Sequence, residues 1–249
     1  MEWRDQGLLL STRKHGETAV IVSLLTPDRG RHLGLVRGGQ SRRRQGMLQP
    51  GNLVEAVWRA RLEEHLGSFT LEPVHEFSAR VLDDSLRLKA MTAALALLDS
   101  GLAEREPHAA LFRETLDLLR AMEAAPEVSP GADEAPDWLG VYGRWEVALL
   151  ACFGFGLDLT ACAATGGHDD LVYVSPRSGR AVSREAGAPY RDKLLPLPAF
   201  LSDRALTPAW EEALAGLDLT GFFLERHHFG AQGRSLPLAR TRFIDALRK

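Results

Sequence analysis

Short apolar runs rich in β-branched residues alternate with turn residues over roughly the first third of the chain. Such runs, bounded by glycine, proline and aspartate, predict short β-strands. The fifth run alternates most clearly, since Phe69 and Leu71 are interleaved with polar neighbours. The pattern predicts five strands, at positions 7–12, 18–26, 32–36, 51–61 and 67–74.

After residue 76 the apolar residues recur at helical spacing instead. Helices are predicted over 85–102, from Pro107 to about 122, and over 138–155, with a proline-rich acidic loop at 124–136. A non-helical insertion at 157–198 contains a predicted hairpin, whose strands 171–175 and 180–184 flank a Pro-Arg-Ser-Gly turn. Further helices are predicted around 202–206, 208–214, 220–229 and 238–247.

These elements predict an α+β protein with two domains. Five short strands in about 70 residues fit a closed barrel of the oligonucleotide/oligosaccharide-binding (OB) type, and the strand count also fits an SH3-like barrel. The predicted domains are the OB-fold barrel at 1–80 and an α-helical domain at 81–249 that carries the inserted hairpin. In an OB fold, strands 2 and 3 and the adjacent loops form the ligand face.

Composition indicates a soluble cytoplasmic protein. The chain has 249 residues, of which 45% are hydrophobic, which is enough for a real core. Its longest apolar run, 147–157, is about half the length that spans a bilayer. The first residues carry mixed charge and lack the apolar core of a signal peptide. We therefore expect no membrane association. Because the chain has only two cysteines, we expect both to be free thiols.

Charge is distributed unevenly along the chain. The formal net charge is −3, yet residues 29–61 contain eight arginines and one acidic residue, Glu55. Four of the arginines fall within Arg37–Arg44, beside the Gly38-Gly39 pair. Clustered guanidinium groups repel one another unless water or a polyanion screens them, and they suit forked contacts to phosphate. The stretch is therefore either a solvated loop or a DNA contact, and its place after the third strand favours DNA. The predicted DNA-binding residues are Arg29, Arg31, Arg37, Arg42, Arg43, Arg44, Arg59 and Arg61.

A second basic concentration lies at the C-terminus. One interpretation is an amphipathic helix whose cations complement its C-terminal dipole. The other is a docking surface for an acidic peptide or for DNA. The partner-binding candidates are Arg234, Arg240, Arg242, Arg248 and Lys249.

The sequence lacks the motifs of common enzymes. It has no Gly-x-Gly-x-x-Gly, no Walker loop and no Gly-x-Ser-x-Gly, so we expect no catalytic residue. His227 and His228 are interpreted as solvated residues at a helix end. Cys162 resembles one ligand of a zinc knuckle whose other thiols are missing, and structural zinc needs four ligands. No zinc or other cofactor is therefore expected.

Several short segments occur in a fixed order along essentially the whole chain. The N-terminal segments are Gly7-Leu8-Leu9-Leu10 with Gly16-Glu17, Leu25-Thr26-Pro27-Asp28-Arg29-Gly30, Val36-Arg37-Gly38-Gly39 and Leu48-Gln49-Pro50-Gly51. The later segments are Trp145-Glu146, Gly154-Phe155-Gly156-Leu157-Asp158-Leu159 and Leu236-Pro237-Leu238-Ala239-Arg240-Thr241-Arg242. In their order and spacing, these segments resemble the RecO family of bacterial recombination mediators.

The resemblance implies an N-terminal OB barrel, a helical domain and, in some members, an inserted four-cysteine zinc knuckle. It also implies binding of single- and double-stranded DNA, annealing of strands, and loading of RecA together with RecR onto DNA covered by single-stranded DNA-binding protein. We expect the protein to act in the bacterial cytoplasm at the nucleoid. The alternative is a non-catalytic adaptor that holds repair proteins and touches DNA only incidentally.

Overall fold

The structure is a computed structural model that describes residues 1–126 and 135–249, with the backbone alone for Arg42 and Arg43. The predicted loop 124–136 falls largely outside the described residues. The chain divides into two compact units, the first comprising Met1–Glu123 with Pro237–Ala246 and the second Ala124–Leu236 with Leu247–Lys249.

The first unit begins with five strands that close into a barrel in the order β1-β2-β3-β5-β4. All neighbouring strands are antiparallel except β3 and β5, which pair in parallel at Leu35 and Ser68. All five strands are present close to their predicted positions. Their bounds are β1 Glu2–His15, β2 Ala19–Thr26, β3 Gly30–Val36, β4 Leu53–Arg59 and β5 Ser68–His75.

Strand β1 is longer than predicted because it serves two neighbours. Its first half pairs with β4, from Glu2 opposite Arg59 to Leu8 opposite Leu53. Its second half pairs with β2, as far as His15 opposite Ala19. Charged residues occupy both ends of the strand, and these ends lack the apolar signal on which the prediction relied.

The barrel interior is filled by aliphatic side chains and by the rings of Trp58 and Phe69. Trp58 is 1% exposed, so it is a core residue, and its indole N–H donates to the carbonyl of Leu66 at 3.0 Å. Gly34 permits this packing because a Cβ there would lie 2.3 Å from the Phe69 ring.

Helices complete the first unit: α1 Arg42–Gln45, α2 Phe77–Val81, α3 Ser85–Gly101, α4 Ala109–Ala124 and α8 Leu238–Leu247. Helix α3 begins at an aspartate cap, since the Asp84 carboxylate accepts hydrogen bonds from the backbone N–H groups of Leu86 and Arg87. These helices belong to the same compact unit as the barrel. The change from predicted strands to predicted helices had indicated a boundary at residue 80 instead. Where an independently folding domain ends stays a prediction.

The second unit comprises α5 Asp137–Cys152, the strands β6 Leu171–Val174, β7 Ala181–Ser183 and β8 Leu195–Pro196, and the helices α6 Arg184–Gly187 and α7 Trp210–Phe223. The three strands form a sheet in the order β7-β6-β8, which confirms the hairpin. The insertion is not free of helix, because α6 and a 3₁₀ turn at Ala188–Lys193 follow β7. Among the described residues, no helix is long and apolar enough to cross a membrane.

The two helices predicted at 208–214 and 220–229 are in fact continuous. Helix α7 runs to Phe223 and continues as a π-helix over Leu224–Phe229. The predicted helix at 202–206 is absent, since a 3₁₀ turn at Ala199–Leu201 precedes an irregular stretch there.

The π-helix places the two histidines against phenylalanine rings. His227 stacks on Phe155 with ring centroids 3.7 Å apart, and His228 stacks on Phe153 at 3.6 Å. The prediction that this pair is solvated at a helix end was therefore wrong. Both rings pack into the second unit.

Two glycines with similar backbone angles provide a test of the packing. Gly16 and Gly30 have φ of +60° and +64°, but a Cβ on Gly16 would meet nothing within 4 Å, whereas one on Gly30 would lie 2.0 Å from the Glu106 carbonyl oxygen. We expect Gly16→Ala to lower the free energy of unfolding by about 1 kcal/mol, the cost of left-handed backbone alone. Gly30→Ala is expected to cost about 3 kcal/mol, because the segment containing Glu106 must also move. Urea unfolding of both variants measures the difference, and equal losses would contradict the close packing at Gly30.

Candidate nucleic-acid interface

The arginine-rich loop after β3 is held against the turn between β1 and β2. The Gln40 side-chain amide donates to the carbonyls of Gly16 and Ala19 at 3.0 and 2.9 Å, and the Gln40 backbone N–H donates to Thr18. Gly38, at φ +65°, allows the chain to reverse before this contact. The arginine triplet then begins helix α1 instead of lying in an open loop.

This anchoring brings basic residues from two strand ends together. Arg37 and Arg44 are exposed, and an Arg44 guanidinium nitrogen donates to the Arg37 carbonyl. Arg13 and Lys14, at the end of β1, are exposed beside the same turn. Within the part of the chain that the structure describes, none of these four pairs with a carboxylate. We call Arg13, Lys14, Arg37 and Arg44 the basic end of the barrel.

Sequence reasoning missed Arg13 and Lys14. The signal that could have found them was the short turn 16–18, because antiparallel pairing across such a turn places the last residues of β1 beside the first of β2. The side chains of Arg42 and Arg43 lie outside the described residues, so their predicted role stays a prediction.

The other four predicted DNA-binding residues do not belong to the basic end. They lie toward the opposite end of the barrel, where β1 and β3 begin and β4 ends. Strand β3 alone separates the two ends by about 20 Å at the rise of an extended strand. The residues placed there are Arg29, Arg31, Arg59 and Arg61.

The side chain of Arg31 is used in contacts within the first unit. Its guanidinium donates to the Leu102 carbonyl at 2.9 Å and forms ion pairs with Asp99 and Glu104 at 3.6 and 3.5 Å. By contrast, the forked contact that Arg59 makes with Glu2, with both nitrogen–oxygen distances at 2.9 Å, is exposed. The remaining two, Arg29 and Arg61, are exposed, and neither pairs with a carboxylate of the described residues.

An aromatic cluster lies beside these residues. His32 lies edge-on to the indoles of Trp3 and Trp58, with ring centroids 5.0 Å apart in both pairs. The two indoles stack on each other at 5.8 Å, and Phe69 lies edge-on to Trp3. An open cavity of about 440 Å³ is lined by members of this cluster. We call these four rings and the cavity beside them the aromatic end of the barrel.

His32 is electrostatically unusual. Burial, reinforced by the positive charges of Arg105 and Arg29, lowers the pKa of its imidazole to about 4. The ring is 3% exposed, and neither of its nitrogens has a hydrogen-bond partner. His32 is therefore a neutral, unpartnered polar group at pH 7.

The C-terminal basic residues are divided between the two compact units. Arg240 is buried, so it is not part of an exposed docking surface, whereas Arg242 and Lys249 are exposed. Arg248 pairs with Asp218 at 2.7 Å, and Arg234 lies over the Phe229 ring.

The donors near Cys162 do not match a structural zinc site. The Cys162 sulfur accepts the backbone N–H of Ser183 at 3.3 Å and lies 3.4 Å from the Ser183 hydroxyl. These bonds, together with one from Thr165, lower the pKa of the thiol to about 6. The side-chain groups that hydrogen-bond to the sulfur are therefore the hydroxyls of Ser183 and Thr165, whereas a zinc knuckle needs further thiolates at this position. Among the described residues, no group of three or more histidine, cysteine or acidic side chains converges as a metal site.

Comparison with known proteins covers the whole chain. The family model described as "Recombination protein O N terminal" matches residues 1–77, and "Recombination protein O C terminal" matches residues 82–237. A protein named DNA repair protein RecO from Rhodospirillum rubrum is 51% identical over 250 residues, covering 100% of this chain and 97% of that protein. Its namesake from Rhodospirillum centenum is 52% identical over 251 residues, covering 100% and 96%. The one from Caulobacter vibrioides is 49% identical over 247 residues, covering 99% and 98%.

The contacts of Arg31 predict a structural role. We expect Arg31→Ala to lower the free energy of unfolding by about 2 kcal/mol, because it leaves two carboxylates and a carbonyl without their shared donor. Arg37→Ala removes an exposed arginine just after the other end of β3. It should change the free energy of unfolding by no more than about 0.5 kcal/mol. Urea unfolding compares the two, and equal effects would refute the assignment.

The lowered pKa of His32 predicts acid sensitivity. Between pH 6.5 and 4 the unfolded chain binds a proton at this imidazole that the folded chain does not, so stability falls as the pH drops through that window. At about 1.4 kcal/mol per pH unit, the full loss is about 3 kcal/mol. His32→Phe removes this site while preserving a ring. The unfolding free energy of the variant minus that of the parent should therefore rise between pH 7 and pH 4, and a constant difference would contradict the burial of a neutral imidazole.

Proposed function

This chain belongs to the RecO family of DNA repair proteins, and on that premise we propose that it is a recombination mediator that binds DNA through its N-terminal barrel. The observation that carries the proposal is the basic end of the barrel, where four exposed cations from two separate segments are brought together without carboxylate partners among the described residues. A polyanion is the ligand that such an arrangement suits.

The strand order supports an OB-type fold for this barrel. A five-stranded barrel in which β1 pairs with both β2 and β4, and β3 closes onto β5, matches the OB description better than the SH3-like alternative. The loop after β3 and the β1–β2 turn form the basic end and adjoin strands 2 and 3. These strands carry the ligand face in OB folds.

Cations at the basic end are proposed to contact phosphates and not base edges. Arginine and lysine contacts to the backbone release counterions, which gives affinity that is independent of sequence and falls with salt. Both single- and double-stranded DNA supply such a backbone. Neutralising the phosphates of two strands in this way also lets the strands approach each other. Strand annealing therefore needs no covalent bond to be made or broken.

The proposed partners follow from the family. We propose that the chain acts with RecR to help load RecA onto DNA covered by single-stranded DNA-binding protein. An acidic tail on that protein would suit the exposed Arg242 better than the buried Arg240. The hydrogen bonds to Cys162 support a hairpin that folds without zinc. A cytoplasmic location at the nucleoid fits this role.

Replacing the arginines of the 37–44 stretch tests the proposal. The quadruple variant Arg37→Ala, Arg42→Ala, Arg43→Ala, Arg44→Ala should bind a short single strand at least about tenfold more weakly at low salt. The slope of log affinity against log salt should fall by about 0.7 for each phosphate that the variant no longer neutralises. Fluorescence anisotropy across a salt series measures both quantities.

Arg120→Ala is the matched control, since it removes an exposed arginine that pairs with Asp117 on α4. It should leave the affinity and the slope unchanged. A folded quadruple variant with unchanged affinity would overturn the assignment of the basic end. If the parent protein neither binds nor anneals DNA at low salt yet captures repair proteins, the adaptor function replaces the one proposed here.

A further inference from the structure

The cavity at the aromatic end of the barrel combines features that packing alone does not explain. Its volume of about 440 Å³ suits an aromatic heterocycle with an attached sugar, and it is open to solvent. Four segments of the first unit contribute to it. They are the start of β1, the β2–β3 turn, the loop after β4 and the stretch between α3 and α4, and strands β3 and β4 add His32 and Trp58. The side chains at its wall include Trp3, Asp28, Arg29, His32, Glu63 and Arg105.

The first unexplained feature is His32. A neutral imidazole has one N–H donor and one acceptor nitrogen. The faces of Trp3 and Trp58 can receive only the donor as a weak N–H···π contact, because the acceptor nitrogen needs a proton from a partner. Both nitrogens are enclosed, and neither has such a partner. Buried polar atoms without partners are rare in native proteins, and each needs an explanation. Since His32 lines an open cavity, a ligand that completes the bonding is one such explanation.

The second feature is Arg105, which has a left-handed backbone at φ +62°. This conformation is unusual for a residue with a side chain, and such strain concentrates at functional sites. The hydrogen bond from the Arg105 N–H to the Arg31 carbonyl, at 2.8 Å, holds the strained residue in place. Its Nη2 donates to the His65 carbonyl, while its Nε is buried without a partner.

The charges around the cavity limit what it can accept. Arg29 and Arg105 supply two guanidinium groups to the cavity that His32 also lines. Asp28 and Glu63 supply two carboxylates, while Glu2 is already neutralised by Arg59. A ligand with one phosphate finds a cationic partner here, whereas a polyphosphate would meet the carboxylates.

We propose that this cavity binds one nucleotide of a single strand, with the base beside Trp3 and His32 and the phosphate at Arg29 and Arg105. The partly buried Trp3 indole provides a stacking surface, and Trp58 forms the buried wall behind it. The donor and acceptor of neutral His32 match the mixed donors and acceptors on a base edge. This site rests on the proposed DNA-binding function and adds contact with bases to it.

The test compares two single strands with identical phosphates. One is a short oligothymidylate, and the other carries abasic sites at every position. Anisotropy titrations at one fixed salt concentration should show the parent protein binding the first about tenfold more tightly, since stacking of one base is worth roughly fivefold to a hundredfold in affinity. Trp3→Ala and His32→Phe should bring this ratio close to one. The double variant Arg37→Ala, Arg44→Ala should weaken binding of both strands equally and leave the ratio intact.

Stability separates binding from packing. His32→Phe removes two unpartnered polar atoms, so its melting temperature should equal or exceed that of the parent while its preference for bases is lost. A purely structural His32 predicts a lower melting temperature for His32→Phe with the preference unchanged, which would overturn the proposal. If Trp3→Ala does not fold, Arg105→Gln provides the second variant, and it should weaken binding of the oligothymidylate.

The remaining outcomes are also decisive. Equal binding of the two strands by the parent would refute the nucleotide site and leave backbone binding at the basic end standing. Failure to bind either strand would refute both proposals. Thymidine monophosphate serves as a third probe: competition at micromolar concentration would identify the ligand as a free nucleotide and overturn the assignment to a strand. Competition at millimolar concentration only, with the base preference present, supports the proposal.

Discussion

The arrangement of the first unit depends on the contacts that Arg31 makes. Its guanidinium joins strand β3 to the end of α3 through the Leu102 carbonyl and two carboxylates. Its backbone carbonyl accepts the N–H of Arg105, and the adjacent Gly30 lies directly against the Glu106 backbone. Main chain and side chain thus fix the same short segment from residue 102 to 107. That segment forms one wall of the cavity, so one arginine secures both the packing of helix on barrel and the shape of the proposed nucleotide site.

The two ends of the barrel consequently have different chemistry. At the basic end, cations are exposed on turns, and the DNA binding proposed there acts by charge alone, which would suit any sequence of DNA and would be weakened by salt. At the aromatic end, the cations lie beside carboxylates and rings, and the polar groups are buried. A strand that engages both ends is held by its phosphates at one and by a base at the other. The separation of about 20 Å along β3 corresponds to several nucleotides of an extended strand.

Much of the fold was predictable because the strands and most helices have the periodicity of their element. The sites were less predictable because pairing redistributes residues that are adjacent in sequence. The eight arginines of 29–61 looked like one basic site, but barrel closure sends them to two ends. Arg31 looked like a phosphate ligand since its carboxylate partners, Asp99 and Glu104, lie about 70 residues away. His32 looked like an ordinary strand residue, and only the tertiary structure shows its unpartnered nitrogens. The continuity of α7 with the π-helix was likewise missed, and the π-helix packs its histidines on the rings of Phe153 and Phe155, contacts that no local pattern reveals.

The aromatic end lowers the stability of the folded chain, and the contacts around it compensate for this loss. A buried imidazole without partners and an arginine with left-handed backbone both destabilise the folded chain. Replacing His32 by an apolar residue would remove part of that cost, although its ring contacts Trp58 and Phe69 of the barrel core. The paired contacts of Arg31 offset the cost instead of removing it. Retaining strained, unpartnered polar groups while stabilising their surroundings is the organisation expected of the nucleotide site proposed above, in which a ligand would complete the bonds left unmade.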